Sequence, residues 1–136
     1  MNDPFPTADD YAAERARFAP RTVVDLRAVG REVTGPYRNQ VVVDVNRDCL
    51  RLSVFEGEYR GHCHPDSDEL VLVVDGEMRI EFDDGHAATL TPGQSLVVPA
   101  GTIHRTSAIG RTVNVTFEAQ GARTVFLDAP PKRDPG

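Results

Sequence analysis

The chain has 136 residues, 40% of them hydrophobic and 26% charged, the balance of an ordinary globular domain. Its 15 Lys and Arg against 21 Asp and Glu leave a net charge of −6, which repels nucleic-acid phosphates, and no apolar run approaches the ~20 residues of a membrane span. Two cysteines, Cys49 and Cys63, are too few for a disulfide scaffold.

Residues 1–20 are polar and acidic and lack the charged-then-apolar order of a secretory signal. The cytoplasm is the expected compartment, with both thiols reduced. Residues 8–18 are rich in Ala, Glu and Arg and predict one short helix outside the main body. Thr7 is placed to cap it, and Pro20 stops it.

From residue 21 the apolar pattern has period two, broken by turn signals. Strands are expected over residues 21–26, 40–45, 50–55, 59–64, 70–74, 78–82, 87–90, 95–98, 103–107, 112–117 and 123–127. Asp75-Gly76 and Asp84-Gly85 each lie between strand-like runs and predict hairpins. The runs 70–74 and 95–98 are apolar enough to be covered on both faces or to form a dimer interface. Residues 129–136 are Pro-rich and charged and predict a disordered tail. The expected organisation is an N-terminal extension (1–20), an all-β sandwich or barrel (21–128) and the tail.

Three of the four histidines fall in two places. The first is Gly61-His62-Cys63-His64-Pro65-Asp66-Ser67-Asp68-Glu69. On a strand, His62 and His64 share a face. A tight turn over 65–68 brings Glu69 beside them, and two imidazoles with a carboxylate suit a divalent metal. In the second, Pro99 and Gly101 build a turn that delivers His104 as a candidate fourth ligand. Taken singly, HxH is a weak signal that also reads as two solvent-facing residues on an edge strand, and His104 reads first as a self-satisfied turn histidine. His86, beside Asp84-Gly85, reads as a surface residue. Cys63 points away from the two histidines by alternation, and both cysteines read as small buried hydrophobes. Asp66 and Asp68 read as turn formers.

These residues resemble the two motifs of the cupin superfamily. The first, G-x5-HxH-x(3,4)-E-x6-G, is matched by His62, His64, Glu69 and Gly76; Gly57 lies one residue too close to be its leading glycine. The second, G-x5-PxG-x2-H-x3-N, is matched by Gly93, Pro99, Gly101 and His104, with Ala108 in place of Asn. The resemblance implies a single-domain jelly-roll barrel. It implies one divalent transition metal ion (Mn, Fe, Ni, Zn, Co or Cu) held by His62, His64, Glu69 and His104. Many members form dimers, so a homodimer is the expected assembly, with no nucleic-acid or membrane partner.

Arg60 shares a face with His62 and is a candidate to meet a substrate carboxylate; sited at the barrel mouth, it would instead pair with a nearby acid. Thr106 shares the face of His104 and is a second candidate cavity residue. Tyr59 and Arg105 alternate away and read as structural. Val71, Val73, Ile80, Phe82 and Phe117 read as core or pocket lining. The superfamily holds oxygenases, isomerases, lyases and cyclases as well as non-catalytic binders. The expected function is a metal-dependent enzyme acting on a small, possibly anionic molecule, with a non-catalytic metal- or ligand-binding protein as the alternative. No catalytic residue beyond the metal set is identified by the sequence.

Overall fold

The computed structural model describes residues 5–127; the tail expected over 129–136 lies outside them. Nine strands form one curled antiparallel sheet: β1 (Tyr37–Val45), β2 (Asp48–Glu58), β3 (His62–Cys63), β4 (Glu69–Asp75), β5 (Met78–Phe82), β6 (Ala87–Leu90), β7 (Ser95–Val98), β8 (His104–Ala119) and β9 (Val125–Phe126). Two six-residue helices, α1 (Ala8–Ala13) and α2 (Leu26–Arg31), precede them. The expected all-β barrel is present. No helix among the described residues is long and apolar enough to cross a membrane.

Strand β8 organises the barrel. Its C-terminal half lies between β2 and β4, with Leu50 and Leu70 both opposite Phe117. Its N-terminal half pairs with β5 and β3, through Ile80 opposite Thr106 and His62 opposite His104. The runs 103–107 and 112–117, expected as two strands, are therefore one strand. It bends near Gly110, whose φ is +72°.

Asp75-Gly76 does not form the expected hairpin. β4 and β5 run in the same direction along β8 and do not pair with each other. The dipeptide is the corner where a long strand passes from one wall to the other. Asp84-Gly85 does close a hairpin, with Met78 opposite Leu90 across β5 and β6.

The corner explains the conformational demand on Gly76. Its φ is +90°, and an added Cβ would lie 2.5 Å from Thr112 Oγ1 and 2.8 Å from the Arg111 carbonyl oxygen. Gly76→Ala is expected to cost about 2–5 kcal/mol, strain and overpacking together. At Gly85, φ is +94° but no atom lies within 4 Å of the added Cβ. Gly85→Ala should cost only the backbone strain, about 1–3 kcal/mol. Urea midpoints of the two variants give the comparison; equal losses would remove the corner argument.

Alternation divides the apolar residues between two cores. Inside the barrel pack Phe55, Val71, Val73, Met78, Ile80 and Val98. On the outer face of the β1-β2-β8-β4 wall, Val42, Leu52, Val54, Val113 and Val115 meet Val29 and Val33. Those two come from α2 and the residues after it; the strand expected over 21–26 is absent, and only its last residue, Leu26, enters a regular element, the start of α2. Asp25 Oδ1 accepts from Ala28 N at 3.1 Å and starts the helix at Leu26. Burial of Val29 against this sheet selects the helix. Phe117, offered as pocket lining, alternates with the inward Thr116 and Glu118 and faces outward.

The N-terminal segment is not outside the main body. Thr7 caps α1 through a reciprocal pair with Asp10, but the helix ends at Ala13 rather than at residue 18. Glu14 leaves it so that Oε2 accepts from Val41 N at 2.9 Å. Arg17 N and Phe18 N then bond Val41 O and Val42 O, both at 3.0 Å. Tertiary bonds to β1 outweigh the helix propensity of residues 14–18.

Candidate metal centre

The four expected ligands meet. One ligand atom from each of His62, His64, Glu69 and His104 lies within 4.8 Å of the others. All four residues are buried. Metal–nitrogen and metal–oxygen bonds near 2.0–2.2 Å span roughly 4–4.4 Å across a cation, so shifts of tenths of an ångström close the shell.

Short elements place them. β3 has only two residues, yet its pairing sets His62 against His104 on one side and Phe126 on the other. His64 follows and is pinned when its carbonyl accepts from Gly101 N at 2.9 Å. Glu69 opens β4. The 65–68 turn is tied down by its acids: Asp68 Oδ1 accepts from Ala100 N at 2.8 Å, and Asp66 Oδ1 accepts from Arg123 N at 3.2 Å.

The imidazoles are oriented for a cation. Nδ1 of His62 donates to Arg60 O at 2.8 Å, that of His64 to Arg123 O at 3.0 Å, and that of His104 to Thr102 O at 3.0 Å. A carbonyl only accepts, so each Nδ1 carries a proton and each Nε2 is the available ligand atom. His64 Nε2 is buried without a hydrogen-bond partner; Glu69 Oε2 lies 3.6 Å away, and Glu69 Oε1 is 3.4 Å from His104 Nε2. Three aimed nitrogens and a carboxylate fit a divalent transition metal, and no cysteine takes part. Burial of Cys49 pushes its thiol up to about 11.

Electrostatics distinguish the histidines. Burial, with His104 beside it, pushes His62 down to about 4. Burial also works against the charge on His64, but the Glu69 carboxylate, 3.6 Å from Nε2, outweighs it and raises His64 to about 9. Burial would raise Glu69, yet His104 and His64, 3.4 and 3.6 Å from its oxygens, hold it well below the ordinary carboxylate range.

The set faces a cavity of about 80 Å³. Thr106 lines it, as expected. Arg60 is not part of the lining: its guanidinium sits over the Phe126 ring, 3.7 Å from the centroid. Tyr59 does line the cavity, because regular alternation fails in the irregular backbone before the two-residue β3. Its hydroxyl bonds that of Tyr11 at 2.6 Å, and Tyr11 also bonds Tyr37. Burial raises both Tyr11 and Tyr37 above the ordinary phenol range, so these hydroxyls stay protonated.

The opposite wall is polar. Arg51 and Ser53 of β2 and Asn114, Thr116 and Glu118 of β8 all line the cavity and are buried. Arg51 Nη1 donates to Glu14 at 3.1 Å and Asn39 at 2.9 Å, and Nη2 donates to the Tyr11 carbonyl at 2.6 Å. Leu70 stands opposite Phe117, so one residue further along the register Glu69 faces Glu118. Burial first, then the charge of Glu69, pushes the Glu118 carboxyl up to about 7. None of these wall residues was a site candidate in the sequence, although Arg51 and Ser53, like Asn114, Thr116 and Glu118, are spaced two apart. His86 is exposed, and its imidazole pairs with Asp84, outside the site.

Comparison with known proteins agrees with this architecture. The family model of the cupin domain matches residues 54–117, which contain all four clustered residues. The uncharacterised protein YdbB of Bacillus subtilis is 45% identical over 107 residues, covering 79% of this chain and 95% of its own. A cupin-2 domain protein from Shewanella frigidimarina superposes with a TM-score of 0.67 at 27% identity, over 71% of this chain and 94% of that one. An oxalate oxidase shares the fold more remotely, with a TM-score of 0.55 at 22% identity over 64% of this chain and 52% of that one. With its barrel, its clustered ligands and a relative matched over nearly its whole length, the chain belongs to the cupin superfamily.

Proposed function

We propose that the protein is a metal-dependent enzyme acting on a small polar molecule inside the barrel. The observation that carries this reading is the cavity itself. Three imidazole Nε2 atoms and a carboxylate face it from one side, and a buried wall of Arg51, Asn114, Thr116 and Glu118 faces them. A site needed only to brace the fold would be expected to close its shell, with nothing polar facing it.

His62, His64, Glu69 and His104 would hold the metal. Once bound, the cation supplies Lewis-acid polarisation of a substrate oxygen or acidifies water. The chain's own groups do the rest. The barrel interior excludes bulk water, which strengthens every charge interaction within it. The three carbonyl-held imidazoles keep the ligand atoms in place without reorganisation. Glu118 is the carboxyl on the wall that is not a ligand, and it is the group placed to hold or pass a proton.

The cavity is small, and the one arginine that lines it, Arg51, is engaged by protein partners. Small carboxylates that reach the metal are therefore the first substrates to test, a choice in keeping with the oxalate oxidase that shares the fold. Protein purified without added metal is expected to carry about one transition-metal ion per chain. It should turn over a small carboxylate, followed by oxygen uptake and product analysis, with activity lost on chelation and restored by the metal. Stoichiometric metal without turnover of any such acid would favour the non-catalytic alternative. Absence of metal binding would reject the metal-dependent enzyme and leave only a metal-free ligand binder.

A further inference from the structure

Two buried side-chain atoms among the described residues have no hydrogen-bond partner: His64 Nε2 and Asn114 Oδ1. The first is explained by the metal centre. The second lies elsewhere on the cavity wall, in a side chain only 3% exposed. An unpaired buried amide oxygen is costly, and folded proteins seldom keep one without a reason.

The register locates it. Asn114 stands opposite Ser53 on β2 and Val73 on β4. Two residues on along the same face comes Thr116, opposite Arg51, and two further comes Glu118, level with Glu69. Four residues of strand are about 13 Å, so Asn114 marks the end of the cavity remote from the ligand carboxylate.

The hydrogen-bond directions then fix the chemistry. Arg51 would be the natural donor for a bound anion, but both its terminal nitrogens already donate to protein oxygens, and its Nε faces Glu118 at 3.6 Å. Thr116 donates its hydroxyl proton to Glu118 Oε1 at 3.2 Å, which leaves the Thr116 oxygen as an acceptor. Asn114 Oδ1 is also an acceptor. This end of the cavity therefore calls for a donor.

Building on the metal-dependent reading, we propose that Asn114 is a specificity-determining residue. Its Oδ1, with Thr116 beside it, accepts a hydrogen bond from a hydroxyl or ammonium group of a small carboxylic acid whose carboxylate end meets the metal. Of the ~13 Å, a metal–oxygen bond takes about 2 Å and a hydrogen bond about 3 Å. Side chains that lean towards the metal shorten this gap, so an acid of at most about five carbons with a terminal donor spans it.

The test uses the full chain loaded with Zn(II), which is redox-inert, so that binding alone is read. Propionate, butyrate and valerate are titrated calorimetrically beside their terminal hydroxy and amino derivatives. One substituted acid is expected to bind at least tenfold more tightly than its unsubstituted parent, and the two derivatives tell which donor is used. In Asn114→Leu that preference should vanish, with the unsubstituted acid binding within twofold of its original affinity. Ligand-free Asn114→Leu should melt no lower than the parent, because it replaces an unpaired acceptor. Asn114→Val carries the same comparison if the leucine variant does not fold.

Equal binding of substituted and plain acids, or a preference that survives in Asn114→Leu, overturns the assignment. So does a lower melting temperature in both variants, which would give Asn114 to the fold. If the plain acids bind the zinc-loaded but not the metal-free protein, the metal-dependent reading stands even where the Asn114 assignment fails. If no acid binds either form, the Asn114 assignment is overturned, and metal content and turnover decide the metal-dependent reading separately.

Discussion

A His64→Ala protein is expected to bind metal at least about a hundredfold more weakly than the parent and to emerge from purification without it. A four-ligand protein site provides on the order of 10–16 kcal/mol, so each ligand accounts for roughly 3 kcal/mol. His64 also carries the buried Nε2 that has no partner within the protein. Removing it deletes a candidate metal ligand while sparing the inner and outer cores, which use other residues. The metal-free variant should therefore fold, and circular dichroism checks this before metal content is measured. His86→Ala is the control: that imidazole is exposed and bonded only to Asp84. Its replacement should leave metal content unchanged. A His64→Ala protein that retains one metal per chain would break the link between the observed cluster and metal binding.

The clustering of His62, His64, Glu69 and His104 was legible in the sequence because its geometry is local. Alternation puts His62 and His64 on one face, and turns at 65–68 and 99–101 deliver Glu69 and His104 whatever the rest of the barrel does. The polar wall was not legible, for a reason of its own. In a strand packed on one core, polar residues at every second position read as the solvent face. In β2, Arg51 and Ser53 alternate with Leu52 and Val54, and here the apolar side faces outward, under α2, while the polar side faces the cavity. The inversion depends on α2 covering the outer face, and α2 itself was hidden in a six-residue segment containing Gly30. That glycine sits close to the sheet: a Cβ on it would lie 3.2 Å from Val113 Cγ1. Arg60 shows the converse error. Alternation from His62 aimed it inward, but strand order is already lost before β3, and the side chain stacks on Phe126 instead.

Metal affinity is expected to rise about tenfold per pH unit between pH 7 and pH 9, and then to level off. In the metal-free protein burial opposes charge on His64, but Glu69 outweighs it and holds the imidazole protonated up to about 9. Its Nδ1 proton is committed to the Arg123 carbonyl, so the proton that must leave is the one on Nε2, the ligand atom. The metal-bound state thus carries one proton fewer, and affinity climbs with pH for as long as the free state still holds that proton. His62, pushed down to about 4, has no proton to lose in this window and adds no slope. The same pair predicts the opposite trend for the stability of the metal-free chain. A histidine raised from 6.5 to about 9 stabilises fully below pH 6.5, and that contribution fades as pH rises through 9. Over the interval in which metal binds more tightly, the metal-free protein should therefore melt at progressively lower temperature. Calorimetry in buffers of different ionisation enthalpy should count about one proton released per zinc bound at pH 7. Affinity that is flat or falling from pH 7 to 9 would mean that His64 is neutral before the metal arrives. The His64–Glu69 contact would then be a meeting of neutral imidazole and carboxylate, and the metal would bind without displacing a proton from it.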